Sequence, residues 1–419
     1  MNTTQGALFA VRTPTPVRNS TTFLDNMRLP VHRWFRYSAG YSAQWVESLV
    51  PRGARVLDPF SGSGTTLLAA QSAGVVSLGI DSHPFVTRVA RAKLAWNCDA
   101  TEFAARGEAI LRRHRPVNSQ EVPALLAKCY TSEVLADLYG LRDAVTMEPI
   151  GDDVSELLWL AFVSIIRSTS FVGTAQWQYV LPNQRKRSAL APLAAFRDKI
   201  DQMTVDIRER QSALSEPMEA LALEADCRVS GIVPDGWATH VICSPPYANN
   251  YDYADATRLE QTMLGEIENW ADLKGVRDCL IRSCSQAMTK YDPEAVLSDP
   301  ILATIVDELS VVYELLDAER LTHKGKKAYH LMAVAYFHDL AQVWISLRQA
   351  CVEGAKVCFV VGDSAPYGVY MPVERWLGEL AISAGFASWT FEKVRDRNIK
   401  WKNRKHDVPL HEGRLFVQG

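Results

Sequence analysis

Two short stretches carry residue types able to do chemistry together: Asp58-Pro59-Phe60-Ser61-Gly62-Ser63-Gly64-Thr65-Thr66, and, much later, Ser244-Pro245-Pro246-Tyr247. Each follows a brief apolar run, Ala54–Leu57 before the first and His240–Cys243 before the second. Such runs, bounded by turn residues, read as buried strands. In the first stretch, Gly62 and Gly64 permit positive φ and leave no Cβ between the backbone and a ligand. Thr65 is placed to cap the following helix, whose free N–H groups would face that ligand. The spacing is not that of a dinucleotide fingerprint, and no lysine stands where a triphosphate needs one, so ATP is disfavoured.

In the second stretch, consecutive prolines lock the backbone and remove both N–H donors, leaving their carbonyls as acceptors. The exocyclic amine of a nucleobase is a poor nucleophile because its lone pair is delocalised into the ring. Hydrogen bonds from that amine to the Ser244 hydroxyl and the Pro245 carbonyl would favour its pyramidal form. The lone pair would then aim at an electrophilic methyl group, with no strong general base needed. Tyr247 offers a ring on which an extruded base can stack. Alone, Ser-Pro-Pro-Tyr is more often a surface turn or a polyproline ligand. Its place behind a strand and downstream of a glycine loop favours the site reading.

Further candidates follow from the strands. Val76–Ile80 ends in Asp81, about twenty residues beyond the glycine loop, where a carboxylate can bind two ribose hydroxyls. The bland alternative is that Asp81 caps the helix starting near Pro84. Pro84 and Phe85 are placed to line one face of an adenine ring. Asp226, at the end of the run Ala220–Ala225, suits a contact to an adenine amino group, against the alternative of an exposed loop carboxylate.

The elements that must position these loops come in blocks. A hydrophobic fraction of 47% and a charged fraction of 22% are those of an ordinary globular protein. Strand and helix alternate from about Val46 to Trp96, again around Ala220–Cys243, and again in the helix Lys327–Cys351, the strand Val357–Val361, the helix Val373–Ala384 and the segment Leu415–Val417. Between these blocks the sequence reads as almost wholly helical: Ala104–Arg113, Pro123–Leu141, Ser155–Ser168 and Leu190–Leu214, then Ala256–Leu316. The expectation is an α/β fold with one doubly wound sheet interrupted by two mainly helical insertions. Residues 1–96 form the first part of the core with the glycine loop, and 97–217 the first insertion. Residues 218–255 return to the core with the second loop, 256–327 form the second insertion, and 328–419 complete the core with a basic segment.

The eight cysteines lack zinc spacing, so no metal is expected. The N-terminus has no apolar signal core and no run approaches membrane-spanning length. A soluble, cytoplasmic protein without a membrane partner is the expectation.

The two loops resemble those of the amino-group DNA methyltransferases that use S-adenosylmethionine, and the variant opening with Ser looks like the N4-cytosine branch. The resemblance covers roughly residues 30–96, 218–255 and 328–419, and implies a Rossmann-like class I methyltransferase sheet. It assigns cofactor binding to Asp58, Phe60, Gly62, Gly64 and Thr65, and catalysis to Ser244, Pro245, Pro246 and Tyr247. The segment Phe35–Ser42, with Tyr37 and Ser38, looks like the part that closes over the methionine end of the cofactor. Ala248–Tyr253 and Val360–Ser364 are similar to a subset of these enzymes. The glycine loop precedes the catalytic loop, the reverse of many relatives, an order that circular permutation would leave chemically intact.

The resemblance implies double-stranded DNA as partner, reached by base flipping, in a bacterial restriction-modification setting with a cognate endonuclease on a separate chain. The net charge of −3 gives no global attraction to DNA, so a DNA surface must come from local clusters. Three are available: Arg185, Lys186 and Arg187; Lys324 and Lys326; and Arg397, Lys400, Lys402, Arg404 and Lys405, interleaved with Trp401. Asn183, Gln184 and Arg185 are also types that read base edges. Target recognition is assigned to the insertions, the first slightly preferred. Two alternatives stand: N6-adenine as the methylated position, or a non-catalytic cofactor- and DNA-binding protein on the same core.

Overall fold

The computed structural model describes residues 23–37, 41–119, 121–174, 179–186, 188–214, 216–249, 251–288, 291–397 and 408–419. Among the described residues nine strands are formed. They are β1 (Arg55–Asp58), β2 (Val76–Asp81), β3 (Val172–Thr174), β4 (Val180–Arg185), β5 (Ala220–Glu224), β6 (Ala238–Cys243), β7 (Cys351–Gly362), β8 (Ser388–Arg397) and β9 (Leu410–Gln418). Seven make one sheet in the order β5-β2-β1-β6-β7-β9-β8, and β3 and β4 pair separately. Strands β5 to β7 are parallel, and β9 runs antiparallel to both its neighbours. The strand order reverses between β1 and β6, the place where open α/β sheets leave a crevice beyond the carboxyl ends. This is a Rossmann-like methyltransferase fold.

Alternation along the central strands sends side chains to two faces, each buried under helices. Leu57, Val241, Val357 and Phe359 face one core, shared with α13 (Val306–Thr322), α14 (Tyr329–Ala350) and α15 (Val373–Ser383). Ile242, Cys358 and Val360 face the other, against α1 (Ala43–Leu49) and α2 (Thr65–Ser72). Because both faces are covered, these strands read as near-continuous apolar runs, as parallel sheets do.

The first insertion contains α4 (Ala100–Arg113), α5 (Ala124–Cys129), α6 (Ser132–Thr146), α7 (Asp153–Thr169) and α8 (Pro192–Ala213). Its core is continuous with α3 (Pro84–Leu94) and with Trp34 and Phe35 of the N-terminal segment. Helix α7 is apolar nearly all round because α3, α6 and α8 surround it. The expected helix Pro123–Leu141 is two helices, broken where the Thr131 side chain caps α6 by accepting from Val134 N. Within this helical stretch β3 and β4 form a hairpin that the sequence reading did not anticipate.

The second insertion is less regular than the uniform helical expectation. Short helices α9 (Tyr253–Ala256), α10 (Arg258–Leu264), α11 (Leu273–Cys279) and α12 (Pro293–Leu297) precede the long α13. Ion pairs fix it to the core: Arg277 with Asp252, and Arg282 with Asp339 on α14, which also pairs with Arg228 of the core.

Gly79 on β2 lies beside Asp58 in register, and a Cβ there would sit 2.6 Å from Ser61 Cβ and 2.9 Å from Leu67 Cδ1. The absence of that carbon is what lets the glycine loop lie across β2. Gly79→Ala is expected to destabilise the protein by about 1–3 kcal/mol through overpacking, measured as a lowered midpoint in urea at unchanged slope.

Candidate active site

The glycine loop leaves β1 and folds back over β2. Ser61 N donates to Ile80 O (2.9 Å), and Gly62 N donates to Asp81 Oδ2 (2.9 Å). Gly62 has φ +50° and its missing Cβ admits the Tyr37 ring, whose Cε1 would be 3.2 Å away. Gly64, with φ +84°, is itself the helix cap of α2, and Thr65 is the first helical residue rather than the cap expected from sequence. Asp58 sits behind the loop, accepting from Phe60 N (3.1 Å) and from Tyr41 Oη (3.0 Å). Burial pushes its carboxyl up to about 7 against those donors.

Asp81 accepts two backbone N–H groups, Gly62 on Oδ2 and His83 on Oδ1 (2.9 Å). Each carboxylate oxygen has a second lone pair, and the residue lines the cleft. Burial pushes this carboxyl up to about 6, opposed by the His83 and Gly62 amides. Asp81 caps no helix by side chain, since α3 has no side-chain cap. Phe85 turns away, packing on Phe35 and Trp159, so Ser82 and His83 line the cleft instead of the Pro84-Phe85 pair. His83 donates or accepts at Thr257 Oγ1 (2.9 Å), and burial lowers it to about 4, leaving it neutral.

Asp226 forms a bidentate pair with Arg228 (2.7 Å), and its neighbour Cys227, not Asp226, contributes to the cleft wall. Ser38 lies outside the described residues, whereas Tyr37 is buried against Gly62.

The second loop leaves β6 beside β1, where Val56 and Leu57 pair with His240 and Val241. Three anchors hold it. Ser244 Oγ donates to Val360 O (3.3 Å), Tyr336 Oη on α14 donates to Pro246 O (2.8 Å), and Ser364 Oγ donates to Ala248 O (2.5 Å). Burial raises the pKa of the Tyr247 hydroxyl above that of a free phenol.

One cleft of about 710 Å³ joins both loops: Phe60, Gly62, Thr65 and Asp81 line one side, Ser244 and Pro246 the other. Gly64, Pro245 and Tyr247 stand just outside its wall. Residues without an assigned role in the sequence reading complete it: Tyr41, Tyr253, and Leu280 and Ile281 from the second insertion. The buried Ser61 Oγ and Ser63 Oγ have no hydrogen-bond partner among the described residues, and both residues line the cleft. Unpaired buried hydroxyls are uncommon, and here they fit a polar ligand.

The basic residues are less uniform than their sequence suggests. Arg185 is exposed and stacks on Phe171 at 4.0 Å. Lys186 instead turns inward to the carbonyl of Arg167. Lys324 and Lys326 are exposed in the turn between α13 and α14, which His323 ties to Tyr367 by stacking at 4.1 Å. Arg397 lies over Tyr247, 5.3 Å from the ring centre. Arg187, Lys400, Lys402, Arg404 and Lys405 lie outside the described residues. Among the described residues Asp363, Glu374 and His411 form a carboxylate-imidazole group, in which His411 contacts Asp363 Oδ2 (2.9 Å) and Glu374 Oε1 (3.3 Å). No helix of the described residues is long and apolar enough to cross a membrane.

The family model of the N6/N4 methyltransferases, described as DNA methylase, matches residues 43–92, which hold the glycine loop and Asp81. Type II methyltransferase M.BsoBI of Geobacillus stearothermophilus is 24% identical over 424 residues, covering 88% of this chain and 81% of that protein. Type II methyltransferase M.AvaI of Nostoc sp. is 24% identical over 418 residues, 88% of this chain and 82% of the relative. This chain is a DNA amino-methyltransferase. Type II methyltransferase M.MjaII of Methanocaldococcus jannaschii is 40% identical over a shorter stretch of 68 residues, 15% of this chain and 13% of that protein. The alignment with the first two runs through the insertions of the methyltransferase as well as its core.

In the cofactor-free protein the raised carboxyls bind protons that an unfolded chain, with carboxyls near 3.9, has released. Stability from this source is full below about pH 4 and is lost as pH rises through about 6 at Asp81 and about 7 at Asp58. The melting temperature is expected to fall from pH 5 to 7.5, with a shallower slope in Asp81→Asn. An unchanged slope would show that Asp81 titrates normally.

Proposed function

We propose that this methyltransferase modifies the N4 amine of cytosine in double-stranded DNA, using S-adenosylmethionine as methyl donor. The observation that supports it most is the single cleft shared by the glycine loop and the Ser-Pro-Pro-Tyr loop. When bound, S-adenosylmethionine supplies a sulfonium-activated methyl group. Asp81 is suited to hold ribose hydroxyls on its free lone pairs, with its backbone donors already fixed. Ser61 and Ser63 offer their unpaired hydroxyls to the polar groups of the same ligand. Phe60, Gly62, Thr65 and Tyr37 shape the wall, and Asp58 and Gly64 hold the loop from behind. For Asp226 the adenine contact remains the proposal of sequence only, because its carboxylate faces Arg228.

The Ser244 hydroxyl has one proton, which goes to Val360 O (3.3 Å), and the lone pairs of its oxygen can accept from an amine N–H. Pro245 O is the second acceptor of the amine, since Pro246 O already receives Tyr336 Oη. With both amine protons directed into acceptors, the lone pair is freed from the ring and projects across the cleft toward the glycine loop. The product's extra proton is then lost from the cationic amine after transfer, with no strong general base required. Tyr247 supplies the stacking face that a base turned out of the duplex requires.

DNA contacts are assigned to Arg185, Lys186 and Arg187, to Lys324 and Lys326, and to Arg397, Lys400, Lys402, Arg404 and Lys405. Of the insertions, the first is the better candidate for reading sequence. Its hairpin exposes Asn183, Gln184 and Arg185, and Tyr179 accepts from Asp252 N (2.7 Å) just beyond the catalytic loop. The Type II relatives favour a modification enzyme paired with a cognate endonuclease on another chain. They also favour a bacterial, nucleoid-associated setting.

Nucleosides from cells expressing the wild type, analysed by mass spectrometry, are expected to contain N4-methylcytosine. Ser244→Ala should reduce methyl transfer on the order of 100-fold, the scale of losing one well-aligned hydrogen bond to reacting atoms, and Tyr247→Ala should do at least as much. N6-methyladenine in the digest would overturn the cytosine assignment. Full activity in Ser244→Ala would overturn the role given to that loop.

A further inference from the structure

Arg397 is placed unlike the other basic residues. It ends β8, an edge strand running parallel to β7, so it arrives at the same sheet edge as the catalytic loop. Its side chain crosses Gly362, where a Cβ would lie 2.5 Å from Arg397 Nη1. Nη1 donates to Asp363 O (2.8 Å), and the guanidinium comes to rest over Tyr247. Among the described residues no carboxylate pairs with it, in contrast to its strand neighbour Arg395, which pairs with Glu412 (2.9 Å). A half-buried guanidinium held through one N–H, with no direct carboxylate contact among the described residues, retains donors for something else.

What those donors face follows from distances. The guanidinium carbon is 5.3 Å from the ring centre of Tyr247, beyond the roughly 3.5–4.0 Å of close contact. Ser244 is held by Val360 O and Arg397 by Asp363 O, three residues further along the chain and just past the end of β7. At roughly 3.3 Å per residue that separation is on the order of 10 Å. A pyrimidine carrying an amine at one end and a carbonyl at the other, with a hydrogen bond at each, spans a similar length. Cytosine offers N3 and O2 as adjacent acceptors on that edge. Adenine offers only N1 beyond its amine, with a C–H where O2 would be.

We propose that Arg397 is a specificity-determining residue whose guanidinium binds the N3 and O2 edge of the extruded cytosine while Ser244 holds the amine. This rests on the cytosine reading above and replaces the phosphate contact first assigned to Arg397. Gly362 is then part of the same device, because any side chain there displaces the guanidinium.

The test uses the full chain with S-adenosylmethionine and duplexes bearing its own recognition site, mapped from methylated positions in host DNA. Single-turnover methylation is compared on three target nucleosides: cytosine, adenine, and a 2-aminopyridine C-nucleoside that keeps the ring nitrogen and amine but has no O2. Wild type is expected to lose on the order of 10- to 100-fold on the O2-less target, the discrimination typical of a bidentate contact. Arg397→Met and Arg397→Lys should lose as much on cytosine yet show no difference between cytosine and the O2-less target. Gly362→Ala should behave likewise while keeping the arginine. Equal wild-type rates on cytosine and the O2-less target would overturn the proposal without recourse to any variant. So would an Arg397→Lys enzyme with wild-type discrimination, because lysine retains the charge a phosphate contact needs but not the fork. A wild-type product of N6-methyladenine in host DNA would instead sink the cytosine reading itself, and is seen before any variant is made.

Discussion

Val56 and Leu57 of β1 run beside His240 and Val241 of β6 in parallel, and the strand order turns back on itself between them. Strands in parallel register must end at the same edge. Helices over both faces then leave the carboxyl ends as the open side of the sheet. The glycine loop and the Ser-Pro-Pro-Tyr loop are therefore brought to one cleft, although 177 residues separate Gly64 from Val241 in numbering. The intervening insertion changes nothing about this adjacency, because it packs outside the sheet on α3 and the N-terminal segment.

Rigidity of the site comes from contacts made beneath it. The Ser-Pro-Pro-Tyr loop has no regular structure of its own, yet β7, α14 and Ser364 just past β7 fix it at Ser244, Pro246 and Ala248. The glycine loop is fixed through the buried Asp58 and the half-buried Asp81, neither with a basic partner among the described residues, each held by backbone or hydroxyl donors instead. Such groups destabilise a protein when ionised and unbound, so a ligand that donates hydrogen bonds to Asp81 relieves part of a burden built into the fold. Ligand binding and local stability are thereby linked at one residue.

The core and both loops were legible in sequence because their signals are local. Apolar runs ending in glycine or proline loops mark the strands, and the segment before α3 is marked by Pro84 at the helix start. What escaped depends on partners distant in sequence. Strand β8, Ser388–Arg397, reads as charged because it is an edge strand facing solvent on much of its length. The β3–β4 hairpin is short and lies between helices whose periodicity dominates the window. Thr65 carried a capping residue type, but Gly64 takes the cap because only the left-handed backbone there completes the turn. Leu280 and Ile281 reach the cleft through packing of an insertion that carries no motif, so nothing local announces them.

A chain of net charge −3 binds a polyanion only if its charges are sorted, and the structure shows how they are. Many of the described arginines pair with carboxylates: Arg33 with Asp206, Arg167 with Glu260 and Arg277 with Asp252 in partly or fully buried positions, Arg375 with Glu308 at the surface. Each such pair has no net charge at a distance. Arg185, Lys324, Lys326 and Arg397 have no carboxylate partner among the described residues. Arg397 meets the catalytic loop, Lys324 and Lys326 adjoin the segment leaving β7, and Arg185 is on the hairpin that touches Asp252. Screening in physiological salt reaches about 8 Å, so a phosphate near the cleft responds to these cations and not to acids across the molecule. The overall charge of the chain is thus a poor guide to its partner, whereas the pairing state of each cation is a good one.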